Sequence, residues 1–169
     1  LNGHAARFVS TPTGGPNTIG VLGFPTPQSQ MPVSINATYF GDTQITAQIG
    51  SDFYELDGTA RLTADFGSRQ VSELTLNKLS GQLFPALGAT QSVSNVGIIK
   101  ISGIGINGSG LSGGRSISSG GTIVLSGRQT NTLSGQFFGP NAEEAGGVWV
   151  IDDSVSKSTI VTGDFLTKN

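Results

Sequence analysis

From Met31 to the end of the chain, apolar residues recur at every second position, and that period restricts the fold more than any other feature. In GTARLTADFG, Ala60, Leu62, Ala64 and Phe66 alternate with Thr59, Arg61, Thr63 and Asp65. A strand sends successive side chains to opposite faces, so this segment buries one face and wets the other, whereas a helix would scatter the same residues around its axis. The alternation returns in INATYF (Ile35 to Phe40) and TQITAQI (Thr43 to Ile49), which read as a hairpin turning at Gly41-Asp42. It continues in VSELTL, GTIVLSG, TLSGQFFG, GGVWVID and STIVTGDFL, with GIIKISGIGI more uniformly apolar. About eight or nine strands divided by glycine-rich turns is the pattern of a sandwich or a closed barrel.

Two stretches interrupt that rhythm. Asn77 to Gly97 is longer than a hairpin loop and sets Leu79, Leu83, Phe84 and Leu87 at nearly helical spacing around Pro85, which predicts a short helical excursion. Asn107 to Gly121 is rich in Gly and Ser and predicts a mobile loop. Ahead of the alternating region, STPTGGPNT and GFPTPQSQ place Pro and Gly where they break any regular element. The expected organisation is an irregular Pro/Gly-rich arm or linker over residues 1–30 and one β-domain over 31–169. No period of internal repetition suggests a solenoid.

Composition removes several function classes. Nine Lys and Arg against 11 Asp and Glu give a net charge of −2 and no basic stripe, so nucleic acid is not an expected partner. No run approaches the roughly 20 apolar residues of a membrane-spanning helix, and no basic segment followed by an apolar one opens the chain, which reads as a soluble mature domain. Without cysteine there is neither a disulfide framework nor a thiolate metal site.

The stretch GQFFGPNAEEAGG, Gly135 to Gly147, poses the sharpest chemical question, because Glu143 and Glu144 suggest an acidic site. Adjacent residues diverge in direction and cannot both flank one scissile bond. A corner accounts for every residue: Pro140 ends the ladder, Asn141 caps a helical turn through Ala142, Glu143 and Glu144, and Gly146 takes the left-handed stop. Asp152 and Asp153 point to opposite faces and lack the spaced pattern of a calcium loop. The GxGxxG matches at Gly103 to Gly108 and Gly108 to Gly113 are followed by Ser and Gly where a dinucleotide site needs a helix. His4, the only histidine, lies in the arm without an orienting carboxylate and reads as a solvated terminal residue, with a lone axial haem ligand as the alternative. Sequons occur at Asn36 and Asn107, and the first is taken as chance because it falls in an expected strand. No active site emerges, and the chain is expected not to be an enzyme.

The segments MPVSINATYFG, GTARLTADFGSRQVSELTL, LSGQFFGPNAEEAGGVWVI and TGDFLTKN, in this order and spanning about Met31 to Asn169, resemble the β-barrel domain of transferrin-binding protein B-like surface lipoproteins of Gram-negative bacteria. The factor H binding protein barrel is related and has a similar corner. The most specific match is the corner itself, where Phe138, Gly139, Pro140, Asn141, Glu144 and Gly147 carry the family motif. Departures are Ile35-Asn36 where the family often has Gly-Thr, Glu73 where it has Gly, and a short arm in place of a larger handle domain. The resemblance implies an all-β fold, an eight-stranded antiparallel barrel with a filled interior. It also implies a non-enzymatic binding protein on the extracellular face of the outer membrane, lipid-anchored through an upstream segment, or secreted.

Relatives bind transferrin, complement factor H or haem, so the expected role is iron or haem acquisition, with a protein or haem-type ligand as partner and no other cofactor. A packed interior leaves recognition to rim loops such as Asp52 to Leu56, Ser80 to Asn95 and Asn107 to Gly121. The alternative is a structural or accessory subunit of a bacterial surface layer, filament or membrane assembly, attached through the arm.

Overall fold

Alternation from Asn36 onward does close on itself. The computed structural model describes residues 3–10, 18–126 and 129–169. Its strands are β1 (Ala5–Ser10), β2 (Thr18–Gly23), β3 (Asn36–Ile49), β4 (Asp52–Asp65), β5 (Gln70–Phe84), β6 (Gln91–Val93), β7 (Gly97–Asn107), β8 (Gly110–Gly121), β9 (Thr130–Phe138), β10 (Glu144–Asp152) and β11 (Thr159–Lys168), with a one-turn helix α1 (Ser154–Lys157) before the last. The main sheet runs β4-β3-β11-β10-β9-β8-β7-β5, and β5 pairs back to β4, so eight antiparallel strands form a closed barrel. Closure removes the free edges that would otherwise invite another chain to pair. β6 adds a short third partner to the far end of β5.

Inward positions fill the barrel. Tyr39, Leu62, Leu74, Ile101, Trp149 and Phe165 are all fully buried, and the Phe137 ring lies 5.6 Å from Tyr39 and 5.2 Å from Phe66. Outward positions carry Glu55, Asp57, Arg61, Glu73 and Lys100, the last two joined at 3.0 Å. A membrane-spanning barrel has the reverse arrangement, an apolar band outside. Among the described residues, no helix is long and apolar enough to cross a membrane.

The carboxylates on this polar face make stability depend on acid. Hydrogen bonds from Thr75 and Lys100 hold Glu73 below the usual carboxylate range, and the Ser68 backbone N–H, with its side chain, does the same for Asp65. A carboxyl whose folded value is depressed contributes stability that is complete above its unfolded value and disappears as pH falls through the folded one. Melting temperature should therefore drop below about pH 4, and Glu73→Gln or Asp65→Asn should flatten that drop in thermal melts.

Four local expectations are corrected by the fold. Gly41-Asp42 is no turn, because β3 runs through it unbroken. A side chain at Gly41 would put its Cβ 2.0 Å from the Leu166 carbonyl oxygen, so this glycine serves close strand approach. The expected helical excursion after Asn77 is not found: the chain is strand through Phe84, and Leu87 lies in the irregular segment that follows. Lys78 takes φ 54° at a bulge, which shifts the buried phase from Leu74 and Leu76 to Leu79, and that slip made the leucines look helically spaced. The supposed loop at Asn107 to Gly121 is a tight turn at Gly108-Ser109 followed by β8, since Gly and Ser pair through their backbone as well as other residues do. Of the expected strand GTIVLSG, only Gly121 belongs to one; Thr122 to Ser126 lies outside the strands, although Ile123 is buried.

The N-terminal arm is regular over residues 5–10 and 18–23. β1 and β2 form an antiparallel hairpin, paired from Ala5 with Gly23 to Ser10 with Thr18. Residues 11–17, the heart of the STPTGGPNT interruption, are outside the described residues. An isolated two-stranded hairpin is marginal in water, so its order must come from what it packs against.

Candidate binding surface

The two phenylalanines of the corner go to opposite sides of β9, as strand geometry requires, yet both are buried. Phe137 enters the core, and Phe138 faces outward with only 4% exposure because the arm lies over it. Pro25 bridges to Phe138, and a Cβ on Gly23 would stand 2.7 Å from the Phe138 ring. The chain then turns at Gly139 (φ 77°) into a single 3-10 turn, Pro140–Ala142. Asn141 does not cap a helix there. Asn141 and Ala142 are themselves left-handed, with φ of 62° and 58°. For Ala142 that conformation costs roughly 1–2 kcal/mol, offset in part by the buried Tyr39 hydroxyl, which donates to the Ala142 carbonyl at 2.7 Å. Gly146 provides no left-handed stop but lies within β10, where a Cβ would stand 2.8 Å from Val21 of the arm. Gly147, on the inner face, lets β9 approach: its Cβ would meet the Ser134 carbonyl oxygen at 2.5 Å.

The two glutamates have separate surroundings. Glu144 is 5% exposed, and its Oε2 accepts the backbone N–H groups of His4 and Ala5, each at 2.8 Å. Glu143 turns toward the space over Gly139 that it shares with the His4 ring, and its Oε2 is buried without a hydrogen-bond partner. Burial, helped by the Glu143 charge, pushes the Tyr39 hydroxyl well above its ordinary value.

Further contacts stitch the arm to the barrel. The Arg7 Nε donates to Asp164 Oδ2 at 2.5 Å, and the fully buried Asp164 also accepts the Gln44 N–H at 3.0 Å, filling a gap in the β3–β11 ladder. Thr26 donates its backbone N–H to the Phe137 carbonyl and its hydroxyl to the Gly139 carbonyl. Hydrogen bonds to charged groups contribute about 1.5–3 kcal/mol each, so Glu144→Ala should release the start of the hairpin. Trypsin should then cut at Arg7 faster than in the parent chain, while Arg61 within β4 stays protected.

The remaining acidic residues act locally. Asp153 is buried and accepts both the backbone N–H and the hydroxyl of Ser126 at 2.6 Å, whereas the exposed Asp152 is held low by the Ser154 side chain and backbone N–H at the start of α1. Among the described residues, no three His, Asp or Glu side chains gather as a metal site would require. Both GxGxxG matches run through β7, its turn and β8, with no helix after them.

Beside the arm, the outer wall forms a cleft of about 1060 Å³. Val9 and Ile19, on the barrel-facing side of the hairpin, overhang Val148 and Val150 of β10; the floor crosses Thr162 of β11 and Gln44 and Thr46 of β3 to Phe53, Glu55 and Asp57 of β4. Asp52 to Leu56 and Ser80 to Phe84, expected as rim loops, are therefore wall strands. Sequence reasoning missed the Arg7–Asp164 pair and this cleft. The only hint was a faint alternation in AARFVS and TIGVLG.

Comparison with known proteins fits this architecture. Residues 31–168 match the family model described as the C-lobe and N-lobe beta barrels of Tf-binding protein B. Among solved structures, isotype 1 transferrin binding protein B from serogroup B Neisseria meningitidis is similar at 20% identity and a TM-score of 0.63, over 98% of this chain and 32% of that one. A mutant of the vaccine antigen transferrin binding protein B from Haemophilus parasuis Hp5 is similar at 24% identity and a TM-score of 0.58, over 90% of this chain and 29% of that one. A protein named only as a surface lipoprotein matches at 16% identity and a TM-score of 0.55, over 98% of this chain and 76% of that one. The chain thus spans about a third of the two transferrin binding proteins. No curated protein matches it. A family match over most of the sequence, laid on a closed eight-stranded barrel, places this chain in the family of Tf-binding protein B beta-barrel domains.

Proposed function

We propose that this chain is the protein-capturing domain of a cell-surface lipoprotein of the transferrin-binding protein B type, holding a transferrin-like host protein against the outside of its barrel. The family match over residues 31–168 carries this reading. The packed interior supports it too, because it leaves the outer wall and the ends as the surfaces on which a partner can be held. The end segment 85–96, irregular apart from β6 and carrying Leu87 at 93% exposure, is a secondary contact. Iron would be acquired as cargo of the captured protein, and no chemistry is required of the domain itself. A haem-type ligand is less well supported, since the His4 ring packs over Gly139 beside Glu143.

Surface plasmon resonance with iron-loaded transferrins from several mammals over the immobilised chain tests the reading. Saturable 1:1 binding is expected with at least one of them, with no stoichiometric change in the haem absorption band on haem titration. Absence of transferrin binding together with a haem band lost in His4→Ala would overturn it in favour of haem. Recovery of the chain only within a fixed-stoichiometry membrane assembly would favour an accessory subunit.

A further inference from the structure

We infer that the cleft beneath Val9 and Ile19 receives an extended segment of a protein partner, with an apolar side chain at its β10 end and a lysine or arginine at its β4 end. This rests on the protein-capture reading above and specifies the chemistry of the partner. The two ends of the cleft differ in kind. At β10, Val148 and the 39% exposed Val150 lie beneath Val9 and Ile19, so an apolar side chain entering there loses water on two sides. At β4, Phe53, Glu55 and Asp57 alternate along one strand and therefore share its outer face. Among the described residues neither carboxylate is paired with a cation, and the cleft lining includes no lysine or arginine. The Gln44 amide at 3.2 Å is what meets Asp57. Phe53, half exposed beside Phe84, offers a ring face next to those carboxylates, the surroundings in which a guanidinium or ammonium is doubly favoured.

Dimensions set the spacing of the partner's side chains. β10 and β4 are separated by β11 and β3, and three strand spacings amount to roughly 14 Å, the reach of about four residues of extended chain. Between the ends lie Thr46 and Thr162, whose hydroxyls bond each other at 2.6 Å, small polar neighbours for a passing backbone. Every floor strand already has two ladder neighbours, so the segment is gripped by its side chains and adds no strand. The cleft volume of about 1060 Å³ lies at the upper end of small-molecule sites, which run to roughly 1,000 Å³. Its breadth across several strands suits a peptide.

The test is panning a phage-displayed random dodecapeptide library against the full chain, followed by fluorescence anisotropy with the enriched peptides. The expected consensus has an apolar residue and a basic residue about four positions apart, with binding weakened at least tenfold by Val150→Asp and by Glu55→Gln/Asp57→Asn. Both variants change outward side chains, and their melting curves report whether the barrel is intact; a salt titration of the parent complex gives a readout free of mutation. Enrichment no better than bare resin, a consensus without basic residues, or affinity unchanged in both variants would overturn the inference. If the parent chain captures transferrin while panning fails, this inference alone falls. Cleft-dependent peptides without any transferrin binding would sink only the transferrin reading.

Discussion

Phe137→Ala should lower the stability of the domain by about 3–5 kcal/mol, a fall in melting temperature of roughly 10 °C or more for a chain of this size. The ring is fully buried and packs tilted against both Tyr39 and Phe66. Removing it loses the transfer free energy of the ring and leaves a cavity that neighbouring strands, fixed in a closed ladder, cannot collapse into. The cavity would also border Tyr39, which holds the left-handed Ala142 through its carbonyl. Corner and core should therefore loosen together, with faster amide exchange at Gly139 to Glu143 as well as a lower melting temperature. Phe138→Ala should instead loosen the arm, since that ring is covered by Gly23 and Pro25.

Asp164→Ala should be comparably damaging, by about 3–5 kcal/mol, because it strips a buried ion pair of one partner. Arg7 would be left without its carboxylate, and the Gln44 N–H without the acceptor that stands in for a ladder carbonyl. Pairing Asp164→Asn with Arg7→Met should recover much of the loss. The amide oxygen still accepts from Gln44, and no unpaired charge remains. Chemical denaturation of Asp164→Asn, Arg7→Met and the variant carrying both closes a mutant cycle; additive losses would show that the pair is not coupled.

The barrel was legible in the sequence because its strands alternate so regularly. Ala60 to Phe66 could be oriented from sequence, and every one of its apolar residues faces the core. The mistakes share a cause, which is that local composition was asked to report tertiary packing. Gly41 looked like a turn residue, but what demands a glycine there is the Leu166 carbonyl of a strand more than a hundred residues away. The Gly/Ser run after Asn107 looked mobile, yet a ladder needs only backbone groups, and β7 supplies them. The arm looked irregular because its order depends on Glu144 and Asp164, which no window around residues 1–30 contains. Steric reasoning separated Glu143 from Glu144, and the fold gives the two different surroundings. That one of them receives the arm's first N–H groups could be seen only in three dimensions.

Trp149 offers the most direct test of a filled barrel that binds its partner on the outside. It is the only tryptophan, it is 1% exposed, and a Cβ on Gly163 would stand 2.6 Å from its ring, so the indole lies against the inner wall. Acrylamide quenching of its fluorescence should be weak in the free chain and equally weak when a bound transferrin or cleft peptide saturates the protein. Strong quenching in the free chain that is abolished by the partner would place the binding site inside the barrel and contradict the account.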